Sequence, residues 1–168
     1  MSDARQAAQI RFTLDGRELT ALAGETIWQA ARRAGTTIPH LCTQEAPDYR
    51  PGGNCRVCMV EIDGERKLAA SCSRQVSAGM AVRSDTSERA LNSRRLVIEL
   101  LLTEQPARAQ AHDRNASFWY WAEQTGLQSS RFPQRANRVP PPLADRSHPA
   151  MTVQLDACIH CQLCVQAC

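Results

Sequence analysis

Lysine is nearly missing from this chain: of 20 basic residues, Lys67 is the only one. That bias reflects codon usage more than mechanism. A formal net charge of +3 leaves the chain without the strongly basic surface that nucleic acid demands. Long apolar runs are missing too. The longest, residues 96–102, is broken by Glu99 and falls far short of the roughly 20 residues that span a bilayer. The opening MSDARQAAQIRF has no apolar core of the kind a secretory leader carries, so the expected setting is cytoplasmic. No internal repeat is visible, and no nucleophile, general base or phosphate loop stands out, Gly52-Gly53 being too short for the last. On this reading the chain has no catalytic residue of its own. With 168 residues, 43% of them hydrophobic and 22% charged, it suits one ordinary domain with a smaller appendage rather than a disordered segment.

What the chain does have is eight cysteines. In a protein without an export leader, cysteines are more often ligands or redox groups than structural disulfides. The elements around them are legible. Ile10, Phe12 and Leu14 alternate with polar residues, and Asp15-Gly16 turns the chain back through Leu19, which predicts a hairpin over 10–22. Ile27, Ala30, Ala31 and Ala34 form one helical stripe with Gly35 at its end and Trp28 at its edge. An irregular stretch over 39–54 follows. Strand character returns over 57–62, turns at Asp63-Gly64, and resumes near 68–70 and 80–82. A longer helix is expected over about 86–103, with Asp85 and Glu88 at capping-box spacing and Pro106 as its stop. Its end, Leu96-Val97-Ile98 and Leu100-Leu101-Leu102, is apolar on too many sides for a single face and predicts packing against two surfaces or a partner. Residues 117–127, with Phe118, Trp119, Tyr120 and Trp121, predict a short buried helix. Residues 129–149, rich in Pro, Arg and Ser, read as an extended connector.

Cys42, Cys55, Cys58 and Cys72 are spaced C-x12-C-x2-C-x13-C. A 2Fe–2S rhomb needs four thiolates, two on each iron, with backbone amides able to approach the sulfurs and tune the potential. Pro51-Gly52-Gly53 permits such an approach. Structural zinc also takes four thiolates, although commonly as two close pairs, and it remains the competing reading. A redox C-x-x-C pair would leave Cys42 and Cys72 unexplained.

Cys158, Cys161, Cys164 and Cys168 follow C-x2-C-x2-C-x3-C, the bacterial ferredoxin run, in which three thiolates clasp one 4Fe–4S cluster and the fourth serves its neighbour. His160 inside the run reads as a bystander. The run usually continues into proline and a second set of cysteines. Here the sequence stops at Cys168, which predicts a fragment of a longer polypeptide. The alternative is a short natural protein.

The segment IPHLCTQEAPDYRPGGNCRVCMVEIDGERKLAASC resembles the 2Fe–2S domain that begins the large iron–sulfur subunit of respiratory complex I and its relatives. SFWYWAEQTGL, the SRFP after it, and SHPAMTVQLDACIHCQLCVQAC make the chain most similar to the alpha subunit of soluble NAD-dependent molybdenum or tungsten formate dehydrogenases. The resemblance runs from Ile10 onward. It implies an α+β fold: a β-grasp, 2Fe–2S ferredoxin-like domain over 8–85, a helical segment over 86–128, a linker over 129–149, and the start of a 4Fe–4S ferredoxin-type domain over 150–168. It also implies that Cys42, Cys55, Cys58 and Cys72 hold the 2Fe–2S cluster. Cys158, Cys161 and Cys164 would begin a 4Fe–4S cluster, with Cys168 on the next one. Many complex I relatives place a His and three Cys between these domains. Here His112 stands in a plausible place, but no cysteine lies between Cys72 and Cys158, so His112 reads as a surface or packing residue. His40 could hydrogen-bond near the cluster or simply pack in the loop, and His148 is unassigned.

The function this implies is an electron relay between a molybdopterin-type formate-oxidising site and an NAD-reducing flavin and iron–sulfur subunit, without nucleic acid or a membrane span. Plant-type 2Fe–2S centres lie near about −400 mV, which suits formate and NAD couples. The equivalent piece of complex I or of an NAD-linked hydrogenase, a free-standing ferredoxin-like carrier, and a zinc-stabilised structural module are the alternatives.

Overall fold

The computed structural model describes residues 9–46, 49–133 and 143–167. The hairpin forms as β1 (Ile10–Leu14) and β2 (Arg17–Ala21), paired antiparallel from Ile10↔Ala21 to Leu14↔Arg17. Asp15 and Gly16 both take positive φ, +50° and +79°, the two-residue geometry that matches strand twist. Helix α1 (Ile27–Arg33) follows, then β3 (Met59–Ile62), β4 (Ala69–Ala70) and β5 (Ala81–Arg83). The strands join one sheet in the order β2-β1-β5-β3-β4. Only the β1–β5 pairing is parallel.

The inward residues of this sheet, Phe12, Leu14, Val60, Ile62 and Val82, pack in one core with Ile27, Trp28, Ala30 and Ala31 of α1. Trp28 is not at the edge of the α1 stripe, as its sequence position indicated, but 3% exposed within that core. The helix is only seven residues long, so Trp28 on its first turn is drawn under the loop that follows. A reciprocal cap starts α1: the Gln29 amide donates to Thr26 Oγ1 (3.3 Å) and the Thr26 amide to Gln29 Oε1 (2.9 Å). The next two orphan amides, of Ile27 and Trp28, donate to the carbonyls of Arg74 and Ser71. The helix thereby clamps the segment that carries Cys72.

Helix α2 (Glu88–Leu102) is capped by Ser87 rather than Asp85. Ser87 Oγ accepts from the Ala90 amide at 3.1 Å and donates to Glu61 Oε2 at 2.6 Å. The Asp85 carboxylate goes instead to Arg94 Nη1, 3.0 Å away, because the helix starts two residues later than the Asp85–Glu88 spacing indicated. Asp15 Oδ1 gathers the amides of Ser84, Asp85 and Thr86 and the Thr86 hydroxyl at 2.7–3.1 Å. Burial pushes the Asp15 carboxyl up, but these bonds outweigh it and hold its pKa below the ordinary 3.8.

Two compact units divide the chain. One holds the residues up to Arg94 together with those from Gln162 on; the other is Arg95–Cys161. In the second unit Ile98, Leu102, Phe118, Trp119, Trp121 and Ala122 are buried, the last four on α3 (Ser117–Gln124). Of the two expectations for the apolar end of α2, packing on two surfaces of this chain or on a partner, the first is not met among the described residues at Leu96 and Leu100, which stay 41% and 47% exposed. The buried positions Ala90, Arg94, Ile98 and Leu102 recur every fourth residue, with Glu99 buried beside Ile98. Of the predicted connector, residues 134–142 lie outside the described residues. The flanking parts contain one isolated bridge, Asp145↔Val153.

Candidate metal centre

The first cysteine set sits where an irregular loop meets the sheet. Cys42 lies in the loop after α1, Cys55 at its far end, Cys58 next to the first residue of β3, and Cys72 two residues beyond β4. Between Cys42 and Cys55 the chain forms neither helix nor strand among the described residues. The φ of Gly53 is +62° and that of Arg56 is +56°, so the backbone turns on itself on either side of Cys55. The β3–β4 ladder extends past its last strand pair, Met59↔Ala70, through the Ser71 amide, which donates to the Cys58 carbonyl at 3.1 Å. The amides of Ser73 and Arg74 both return to the Ala70 carbonyl, tightening the turn around Cys72.

All four cysteines are buried; Cys42, Cys58 and Cys72 are 1% exposed and Cys55 7%. Cys58 and Cys72 are members of the hydrophobic core itself. The Cys55 amide points at Cys42 Sγ, 3.4 Å away. Hydrogen bonds from the Cys55 and Cys72 thiols, helped by the amides of Cys55 and Asn54, pull the Cys42 thiol down to about 2 against its burial. The Cys72 thiol does the same for Cys58, which is lowered to about 6 with help from the Cys72 amide. Cys55 and Cys72, as the donors, are pushed up. These contacts favour the ionised form of Cys42 and Cys58 despite their near-complete burial. Metal ligands must be deprotonated, and here the protein has arranged the donors that favour it. The sulfurs form one connected series, Cys55 to Cys42 to Cys72 to Cys58, and among the described residues no three His, Cys, Asp or Glu side chains are placed to hold one metal ion. A cleft of about 310 Å³ opens beside Cys72, lined by Trp28, Thr43, Glu45 and Tyr49 among others.

The second set is not assembled in this way. Cys158 follows a single 3-10 turn, Leu155–Ala157. Cys161 lies between His160 and Gln162, whose φ values are +54° and +64°. Cys164 is exposed on α4 (Leu163–Ala167), and Cys168 lies outside the described residues. Within the first unit, the segment around α4 touches the cysteine loop: Asn54 Nδ2 donates to Gln162 Oε1 at 3.2 Å, and the Arg50 amide to Gln166 Oε1 at 2.8 Å. His40 bonds through Nδ1 to the Ile38 carbonyl at 2.9 Å and meets Trp28 edge-on at 4.8 Å, and so packs in the loop. His112 and His148 are exposed. Ser71 and the Asn54 amide carried no signal in the sequence, since their roles depend on which strand lies opposite.

Residues 7–87 match the family described as a 2Fe–2S iron–sulfur cluster binding domain. The chain is 32% identical over 98% of its length to the mitochondrial NADH-ubiquinone oxidoreductase 78 kDa subunit of Candida albicans, covering 23% of that protein. Over 96% of its length it is 32% identical to the NADP-reducing hydrogenase subunit HndD of Solidesulfovibrio fructosivorans, covering 28% of it. A chain in the crystal structure of an NAD+-reducing [NiFe]-hydrogenase in the H2-reduced state superposes with a TM-score of 0.82 and 33% identity, over 95% of this chain and 66% of that one. The chain thus spans about a quarter of the length of the curated relatives it matches.

Proposed function

We propose, from the match of residues 7–87 to the 2Fe–2S iron–sulfur cluster binding domain family, that this chain is the electron-relay part of an NAD-linked oxidoreductase. The observation that carries the reading is the set of four buried cysteines, whose mutual contacts lower the Cys42 and Cys58 thiols. Cys42, Cys55, Cys58 and Cys72 would hold a 2Fe–2S centre, which when bound supplies one-electron redox chemistry. The residues fit the group. Soft thiolates suit iron–sulfur clusters, backbone amides already aim at Cys42, and the burial of all four side chains excludes water. Mononuclear zinc fits less well, because it asks four ligands to converge on one ion, and among the described residues no three such side chains do so.

The relatives' names share a pyridine nucleotide on one side, NADH, NADP or NAD+, while the other side changes from quinone to hydrogen. The constant side supports a flavin and iron–sulfur NAD-reducing subunit as partner. For the variable side we assign a molybdopterin-type formate-oxidising site, on the resemblance of SFWYWAEQTGL and SHPAMTVQLDACIHCQLCVQAC. Cys158, Cys161, Cys164 and Cys168 would serve 4Fe–4S clusters completed by cysteines beyond this sequence. Residues 8–85, 86–128, 129–149 and 150–168 are then the 2Fe–2S domain, a helical segment, a linker and the start of the 4Fe–4S domain.

The test is iron, acid-labile sulfide and zinc content on anaerobically purified protein, with EPR after dithionite reduction. About two irons and two sulfides per chain, with an S = 1/2 signal persisting well above helium temperature, are expected of a 2Fe–2S centre. Stoichiometric zinc without sulfide, unchanged by reconstitution, overturns the relay. Formate-dependent NAD reduction by the intact parent complex checks the substrate separately; turnover with hydrogen but not formate reassigns it.

A further inference from the structure

Ser71 is 0% exposed, and its hydroxyl is one of two buried side-chain groups without a hydrogen-bond partner among the described residues. Burying a hydroxyl without a partner is unfavourable. The backbone gives Ser71 no freedom to seek one elsewhere. Its amide is committed to the Cys58 carbonyl (3.1 Å) and its own carbonyl to the Trp28 amide (3.0 Å). Because Met59 pairs with Ala70 in the antiparallel β3–β4 ladder, the next residues, Cys58 and Ser71, stand opposite each other. Directly opposed side chains lie on the same face with Cβ atoms about 5 Å apart, so the hydroxyl and the Cys58 sulfur share one buried side of the sheet.

We propose that Ser71 donates a hydrogen bond to sulfur on the Cys58 side of the bound centre and thereby raises its reduction potential, an inference that rests on the 2Fe–2S reading above. A sulfur ligating iron carries more negative charge than a thiol and is the better acceptor. Reduction adds one further negative charge to the cluster, so a donor aimed at its sulfur stabilises the reduced form more than the oxidised one. Ser71 is then a positioning residue that sets the potential, and its apparent lack of a partner is explained by an acceptor that arrives with the metal.

An EPR-monitored redox titration of the full chain, wild type against Ser71→Ala and Ser71→Thr, decides the point. Iron and sulfide are measured on each sample. The expected result is unchanged loading in all three, a more negative midpoint for Ser71→Ala, and a return towards wild type for Ser71→Thr, which keeps the hydroxyl. Loaded Ser71→Ala with the wild-type midpoint overturns the proposal, as does a Ser71→Thr midpoint equal to that of Ser71→Ala. Should Ser71→Ala lose its iron, Ser71→Gly removes the same hydroxyl without adding volume, and its midpoint is read the same way. Wild-type protein that never acquires iron and sulfide is a failure of the 2Fe–2S reading instead.

Discussion

Arg94 is 2% exposed, a burial that arginine tolerates only when its charge and donors are all engaged. Its Nε donates to the Met59 carbonyl at 2.9 Å, Nη2 to Ser84 Oγ at 2.6 Å, and Nη1 to Asp85 Oδ1 at 3.0 Å. One side chain thus ties the start of β3, just after Cys58, to the chain entering α2. The ion pair is the least of these bonds, because the Asp85 side chain is 63% exposed and solvent screens it. Replacing Arg94 by Ala takes the side-chain donor from the Met59 carbonyl, leaves the Ser84 hydroxyl only its 3.3 Å bond to Asp85 Oδ1, and opens a cavity. Together these should cost on the order of 3 kcal/mol. Arg94→Met fills most of the volume and should cost less; Asp85→Ala should cost under about 1 kcal/mol. Urea unfolding of the three variants checks the ranking, and an Asp85→Ala loss equal to that of Arg94→Ala contradicts it.

At the level of elements, much was legible in the sequence where a short-range rule applied. The Asp15-Gly16 hairpin, the Ala30, Ala31 stripe of α1 and the aromatic helix α3 each follow from neighbours within a few residues. The misreadings came where a distant residue decides. Trp28 looked marginal to its stripe but is closed in by the loop that follows, and Asp85 has cap spacing but is claimed by Arg94 from the far side of Ser87. Leu96 and Leu100 read as part of a broad apolar face, yet the stripe that is buried contains Arg94, a residue no hydrophobic pattern counts. The cysteine positions were legible because ligands must be cysteines; the donors around them are backbone amides, which every residue possesses. The loop makes its own prediction. Gly53 has φ +62°, and a Cβ there would meet only Ser73 Oγ at 3.6 Å, so space is not the obstacle. The cost of Gly53→Ala is conformational, roughly 1–2 kcal/mol for a left-handed non-glycine residue, and it falls on the segment that aims the Asn54 and Cys55 amides at Cys42. Gly53→Ala should therefore lose iron faster under a chelator than wild type, and Gly53→Asn, which tolerates this region better, should lie between them. Equal release rates in all three would detach Gly53 from the shape of the site.

Across the molecule, the two cysteine sets differ in how much of their surroundings this chain supplies. The first is built into a core of sheet and helix: Cys58 and Cys72 are packed with Val60, Ala70 and Trp28, and amides from loop and strand are in place before any metal arrives. Among the described residues of the second set, Cys158 and Cys161 are half-buried and Cys164 is exposed. A site whose ligands are already buried among packed neighbours spends little on reorganisation when it binds metal, whereas more exposed cysteines must be ordered first. Serine substitutions should separate the two sets. Cys42→Ser, Cys58→Ser or Cys72→Ser should abolish or grossly alter the S = 1/2 signal and lower iron to well under about two per chain. Cys158→Ser, Cys161→Ser and Cys164→Ser combined should leave both unchanged in this chain. The contacts from Asn54 and Arg50 to Gln162 and Gln166 make the second half of that prediction a demanding one, because they run from the first loop to the segment carrying Cys164. If the triple variant shifts the g-values or the iron content, the α4 segment supports the first centre, and the two motifs must be treated as one structural unit.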